Sequence, residues 1–569
     1  MRFSPRPALA SCLALAFLLC GNLHAQQPAS DDEFMRGVNQ KLEDVQRLHD
    51  QKQFEKALPI LQELDGDRRL ERFEVARINV LYSLAGVCSL LARKDEAVAY
   101  LGRLVDAGFI NYDYITKDAD FDNVRQDPRF TRLLEEMKAR SDFWAGAALS
   151  TPYREDIPED EKVAGLSKFW SEVRYNFVNR ERLQGLNWDG VYLSYLPEVR
   201  QTKSTLEYLR LLQRMCALLK DGHTNVYAEA KELGEQVYSA PLIRTRLIED
   251  RVLIVRVYDE QLRKSGLEVG TEVLKVDGIP VREYAKDRVV PYVTAATRQD
   301  LDVRTFDYEL LRGSDKIPLR LTLRDAEGNV FERTLARLSP EDQTKFFAKN
   351  FPPMPLQLKV LEGNVGYVAL NSFDDRKLVK EFDDVFPAIE KTDALIIDVR
   401  NNGGGSSGIG WDILAYLTDK PFTIQTWRTT EYHPTFRAWG LGAQSYTEPD
   451  GGHAPKAGKF YAKPVVVLTS ARTYSAAEDF CVAFDYMKRG TIIGEPTGGS
   501  TGQPLFFKLP GGLSARVRTK HDTYPDGKEF VDVGVQPGIV VRPTVQGLRS
   551  GRDEVLEAAL KYLRSGLTN

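Results

Sequence analysis

The chain is poor in histidine and cysteine, with six and five in 569 residues. Beyond its first twenty-odd residues no stretch is apolar enough to span a bilayer. These shortages exclude several classes of function. There is no H-E-x-x-H pair and no histidine cluster, so no metal is expected to drive hydrolysis. Cys88, Cys216 and Cys481 stand far apart in apolar helical contexts, which argues against a disulfide framework, a thiolate metal site or a cysteine nucleophile. The turn Gly403-Gly404-Gly405 has neither the G-x-x-x-x-G-K-[ST] nor the G-x-G-x-x-G spacing, so a nucleotide cofactor is not expected. A net charge of -4 gives no reason to expect nucleic acid as a partner.

What is present begins with "MRFSPRPALASCLALAFLLCGNLHAQQ". Its early arginines, short apolar run and Ala25-Gln26 junction read as a secretory signal over residues 1–25. The protein is then expected to be exported, with the periplasm as the first choice of compartment. A lipid anchor through Cys20 is disfavoured by the bulky Leu18 and Leu19 before it. Residues 31–145 read as helical, with Ala57 and Ala97 as small residues after charged helix starts, in the manner of a tetratricopeptide-like pair. Such a block either binds a partner or simply packs. Residues 150–235 continue as helices with apolar residues at helical spacing. From 236 to 345 short alternating runs such as "DRVLIVRVY" and "IPLRLTLRD" predict strands. Its "SGLEVGTEVLKVDGIPV" is similar to a PDZ segment, which would hold an extended peptide by strand addition. Residues 346–569 alternate strand and helix, the pattern of an α/β domain with functional loops at the carboxyl ends of its strands.

Two of those loops carry chemistry. In "VVVLTSARTYSAAEDF", Ser475 and Glu478 fit a capping box, and equally a nucleophile at a helix N-terminus. In "IIDVRNNGGGSSG", glycines after a buried strand allow backbone amides to converge on one oxygen. A serine needs a base. Of the histidines, His223 sits at a helix end in the glycine-bordered turn "KDGHT", where a solvated or structural role is the plainer reading.

"LLKDGHTNVY", "ALIIDVRNNGGG", "VVVLTSARTYSAAEDF", "IIGEPTGGSTG" and "DGKEFVDVGVQPGIVV" follow one another in this order. Together they resemble the C-terminal-processing, or tail-specific, serine peptidases, in the branch of the tricorn core. The resemblance covers roughly 160 to 565 and implies a ClpP/crotonase-like catalytic core. It also implies Ser475 as nucleophile, His223 as base, and an oxyanion hole from the amides of Gly404 and Ala476, with Gly403 and Gly405 as neighbours. No cofactor is implied, and the substrate is a peptide or an unfolded protein tail. The family's other branch has a lysine about 25 residues after the serine; Ser500-Thr501-Gly502-Gln503 stands there instead. The resemblance also implies a serine before the histidine and a distal acid behind it. Gly222 replaces that serine, with Thr224 as a substitute hydroxyl. Glu529, or alternatively Asp532, matches the acid. The expected activity is therefore an endopeptidase; an inactive scaffold on the same fold, or an esterase or amidase of the envelope, are the alternatives.

Overall fold

The computed structural model describes residues 28–447 and 452–567. The expected signal segment, residues 1–25, falls outside them. Among the described residues no helix is long and apolar enough to cross a membrane. The chain divides into two compact units, one of residues up to Ser141 with 452–454, the other of the remainder.

The first unit is helical, with Pro28–Asp50, Phe54–Gly66, Glu74–Leu90 and Lys94–Asp106 as its longer members. Its apolar stripes meet in one core through Leu61, Leu84, Cys88 and Leu101. Ala57 and Ala97 are both buried in that core, so their small side chains lie where the helices pack.

The second unit is organised by a six-stranded sheet. In spatial order its strands are Ile539–Val540, Thr491–Gly494, Val465–Thr469, Ala394–Asp398, Val365–Leu370 and Leu356–Leu361. Only the last pairing is antiparallel. Alternation between two covered faces explains why "ALII" and "VVVL" are apolar throughout. Leu395, Ile397 and Val467 face a layer containing Phe382, Ile413 and Phe480. Ala394, Ile396, Val466 and Leu468 face Val555, Ala559 and Leu563 of the C-terminal helix. Both faces are covered, as parallel strands require.

Helices Glu159–Asn176, Trp188–Gln201 and Thr205–Ala217 form a second core with an antiparallel sheet. That sheet joins Asn225–Ala228, Leu513–Arg518 and Pro504–Leu509. The helical expectation for 150–235 thus misses a strand, Asn225–Ala228, whose partner lies almost 300 residues away and cannot be read locally. An antiparallel region of five main strands, from Ile243–Ile248 to Val330–Leu335, is inserted between the helices and the α/β sheet. It also contains helical turns over residues 281–309. Bridges at Ser239–Gly313 and Ala240–Leu338 close its base.

Candidate active site

The strands Ala394–Asp398 and Val465–Thr469 are parallel neighbours, with Asp398 opposite Leu468. The loops that leave their carboxyl ends are therefore adjacent. One is the glycine turn and the other ends at Ser475. Contact between them is close: a Cβ on Gly404, whose φ is +104°, would lie 2.7 Å from Ser475 Cβ. Ser475 is the N-cap of helix Ala476–Tyr486, at φ 56° and ψ -126°. That conformation is rare outside glycine and costs on the order of 1–3 kcal/mol. It is held by the Tyr474 amide on the Asn402 carbonyl (3.0 Å) and the Ser475 amide on the Ser500 carbonyl (3.1 Å).

Glu478 supplies the carboxylate half of a capping box by accepting from the Ser475 amide at 3.3 Å. Its main partners, however, lie on the loop after the next strand. Oε1 accepts from the Thr497 hydroxyl (2.5 Å) and the Gly499 amide (2.7 Å), and Oε2 from the Ser500 amide (2.8 Å). Burial pushes the carboxyl up to about 8 against the pull of these donors. The Ser475 hydroxyl is turned the other way. It lies 3.1 Å from His223 Nε2.

His223 arrives from the turn between helix Thr205–Ala217 and strand Asn225–Ala228. Its amide donates to Asp221 Oδ1 at 3.0 Å, and Asp221 is in turn ion-paired at 2.8 Å with the fully buried Arg518. The imidazole itself is buried, and Nδ1 meets Ser500 Oγ at 2.7 Å. Burial, followed by the charges of Arg516, Arg304, Arg518 and Lys520, holds the imidazole well below its ordinary value of 6.5. The neutral form, which can accept a proton, is thereby favoured.

The acids expected behind the histidine lie elsewhere. Glu529 Oε2 accepts from His521 Nε2 at 2.8 Å, through a side chain that is half exposed. His521 lies in strand Lys520–Thr523. Asp532 accepts from Arg182 at 2.8 Å. Asp532 reaches the base only indirectly, through Arg518 (3.9 Å) and Asp221. Thr224 does not offer its hydroxyl to the imidazole; it donates to Asp221 Oδ1. The glycine turn also differs in detail from expectation. The Gly404 amide is committed to Asn402 Oδ1 at 2.9 Å. The amides of Gly403, Gly405 and Ala476 make no hydrogen bond to any described residue. The Gly404 carbonyl accepts from the Phe373 amide, so across the trans peptide the Gly405 N–H points away from Phe373.

The sequence marks Ser500 only as standing where the family's other branch has its lysine. The signal for it was weak, a hydroxyl inside "TGGSTG" whose use depends on contacts from distant segments. Cys481 is buried and its thiol is pushed well above the ordinary range, chiefly by burial, which agrees with a packing role.

Residues 364–541 match Peptidase family S41. The S41 segment contains the glycine turn, Ser475, Glu478 and Ser500, while His223 lies before it. Among curated proteins, a carboxyl-terminal-processing protease of Synechocystis sp. is 23% identical over 453 residues, covering 75% of this chain and 94% of the relative. A chloroplastic carboxyl-terminal-processing peptidase 2 of Arabidopsis thaliana is 25% identical over 226 residues, covering 38% of this chain and 41% of its own. Among solved structures, mature CPAF complexed with lactacystin matches with a TM-score of 0.56 and 16% identity. That match covers 72% of this chain and 97% of CPAF. It is a likeness of fold, and at 72% of this chain it extends well beyond the S41 segment.

Proposed function

We propose that the protein is a serine endopeptidase of the C-terminal-processing type. The observation that carries this reading is Ser475 Oγ at 3.1 Å from His223 Nε2, at a helix N-terminus and against a glycine turn. Nε2 takes the proton of Ser475 as Oγ attacks the scissile carbonyl, and later gives it to the leaving amine. Water then repeats the cycle on the acyl-enzyme. The developing oxyanion is met by the Ala476 amide and one from the glycine turn. Gly405 offers the uncommitted amide there, whereas the Gly404 amide would first have to leave Asn402. A single such donor contributes roughly 3–4 kcal/mol, and the base about 10²–10⁴-fold.

In this reading the core is ClpP/crotonase-like, and the inserted antiparallel region acts as a PDZ-like holder of extended peptide. The helical unit is tetratricopeptide-like and available to a protein partner. The N-terminal sequence directs export, with the periplasm as destination. Support for the peptide substrate comes from the relatives, both of which carry processing-peptidase names.

The test is a fluorophosphonate probe on the purified protein, with the adduct located by peptide mass mapping. Labelling is expected at Ser475 and is lost in Ser475→Ala and reduced at least about 10²-fold in His223→Ala. Turnover of a peptide rather than an ester by the same preparation fixes the reaction. A folded wild-type protein that takes no label and cleaves no peptide sinks the proposal.

A further inference from the structure

A cavity of about 1080 Å³ opens between the inserted region and helix Thr205–Ala217 with the strand that follows it. Sites for small molecules measure about 300–1,000 Å³, so this one has room for a stretch of polypeptide. Its wall carries five arginines and two acids. Two of the arginines are paired. Arg304 donates to Asp300 at 2.7 Å, and Arg312 to Glu309 at 2.5 Å. Among the described residues, Arg210, Arg288 and Arg337 form no ion pair. The remaining acid of the wall, Asp277, accepts from the Arg320 amide at 3.0 Å.

Arg337 carries the argument. It is only 7% exposed, and a guanidinium buried without a counter-ion is costly. Its Nε and Nη1 donate to the carbonyls of Leu311 and Ile317, each at 2.8 Å. Nη2 donates to no described residue. Gly313, also in the wall, lies against it. A Cβ there would be 3.1 Å from Cζ and 3.3 Å from Nη2, so the missing side chain leaves this edge of the guanidinium uncovered. A buried donor of this kind calls for an acceptor that arrives with a ligand. Arg288 is exposed, and Arg210, on the helix side, stands 5.0 Å from the Tyr292 ring. Phe347 and Phe351, with rings 6.1 Å apart, add an apolar part to the wall.

We propose that this cavity docks an acidic stretch of polypeptide, whose Asp and Glu side chains meet Arg337, Arg288 and Arg210. The role of that stretch as part of a substrate rests on the peptidase reading above; the binding does not. One carboxylate pairs with one guanidinium fork, so three unpaired arginines on separate segments exceed what a single chain terminus can satisfy. The aromatic part of the wall takes apolar residues between the acids. Two wall residues border the base. Asn225 stands two positions after His223, and Arg304 donates to the Gly222 carbonyl at 3.2 Å. The wall includes neither Ser475 nor His223, so the acidic stretch is recognised apart from the bond that is cut.

The test uses the full chain carrying Ser475→Ala, so that a bound peptide stays intact. Three fluorescein-labelled probes are compared by anisotropy: hexaglutamate amide, hexaglutamine amide, and hexaglutamine with a free carboxyl terminus. Hexaglutamate amide is expected to bind at least about tenfold more tightly than either neutral peptide at low salt, with the advantage shrinking as salt rises. Arg337→Gln should cut that advantage about tenfold, with the melting temperature as a check on folding. Arg288→Ala, at an exposed position that does not endanger the fold, should cut it about three- to fivefold. Arg256→Ala removes an exposed arginine of strand Arg251–Val257 outside the wall and should leave it unchanged. An Arg337 that merely braces two carbonyls would alter the three peptides alike. The proposal is overturned by equal binding of the two amides, by an advantage that either Arg337→Gln or Arg288→Ala leaves intact, or by preference for the free carboxyl terminus. Binding is read without turnover. A protein that binds hexaglutamate but cleaves nothing therefore sinks the peptidase reading alone, and an active one indifferent to hexaglutamate sinks this one alone.

Discussion

The two halves of the site are built differently. The nucleophile's half lies on adjacent parallel strands of one sheet, so the glycine turn and Ser475 become neighbours by strand order alone. The base's half is gathered from far apart. His223 comes from a helix end, Ser500 from the loop after strand Thr491–Gly494, and Arg304 from the inserted region. The first half is local geometry repeated wherever an α/β sheet turns. The second depends on three segments far apart in sequence meeting correctly within one compact unit. Chemistry at Ser475 should therefore break sharply with small changes in its own turn, while the base's half should respond in graded steps.

The largest effect is expected at Gly404. A methyl there would meet Ser475 Cβ at 2.7 Å and the Tyr474 carbonyl at 2.9 Å, at a φ that L residues rarely adopt. Gly404→Ala should displace the nucleophile and lower the labelling rate by about 10²-fold or more. Gly403, with open space around its Cβ position, is the control. Gly403→Ala should stay within about threefold of wild type. Equal losses in both would mean that the turn matters as a whole and not through contact with Ser475.

A second comparison concerns the buried carboxyl that ties the halves together. Glu478 holds the amides of Ser475, Gly499 and Ser500, yet burial raises its value from 4.5 to about 8. A raised value means the folded state binds this proton more tightly than the unfolded chain does. Its contribution to stability is thus full below about pH 4.5 and declines as pH rises toward 8. Glu478→Gln cannot ionise and lacks that decline. The melting temperature of the variant relative to wild type should therefore improve steadily between pH 5 and pH 8. A constant difference across that range would mean that the donors keep the carboxylate ionised throughout.

Much of this could be read from the sequence, for physical reasons that differ by region. "ALIIDVRNNGGG" and "VVVLTSARTYSAAEDF" announce strand, turn and helix because each rule involved acts within about ten residues. The strand after His223 did not announce itself, since its pairing with Leu513–Arg518 is what makes it a strand. Glu529 matches the supporting acid by motif position alone. Motif position does not encode that His521, eight residues earlier and in strand Lys520–Thr523, would claim it. Tyr474 was hidden in a different way. Its hydroxyl fills the space left by the missing side chain at Gly222, two hundred and fifty residues away in sequence.

The pH dependence of the base tests its half directly. Burial and four nearby cations disfavour imidazolium, so His223 should remain neutral and competent below its ordinary value of 6.5. The fluorophosphonate labelling rate should hold its plateau down through pH 6.5 and fall to half only at lower pH. A half-maximal rate at or above 6.5 would indicate a carboxylate acting on the imidazole, contrary to the contacts described.

The smallest effect separates the two candidate acids. Glu529 is half exposed and paired with His521, and exposed pairs of this kind contribute about 0–1 kcal/mol. Glu529→Gln should leave kcat/KM within about twofold. Asp532 is tied more closely to the base's half. It accepts from Arg182, its amide holds the Gly499 carbonyl at 2.7 Å, and Arg518 beside it pairs with the Asp221 that fixes the His223 amide. Asp532→Asn keeps the shape and removes the charge, and should lower kcat by roughly three- to tenfold through loosened packing of this network. The ranking matters more than either value. If Glu529→Gln proves the more damaging, the carboxylate must swing to His223 when substrate binds, and the base's half would be assembled by the substrate rather than by the fold.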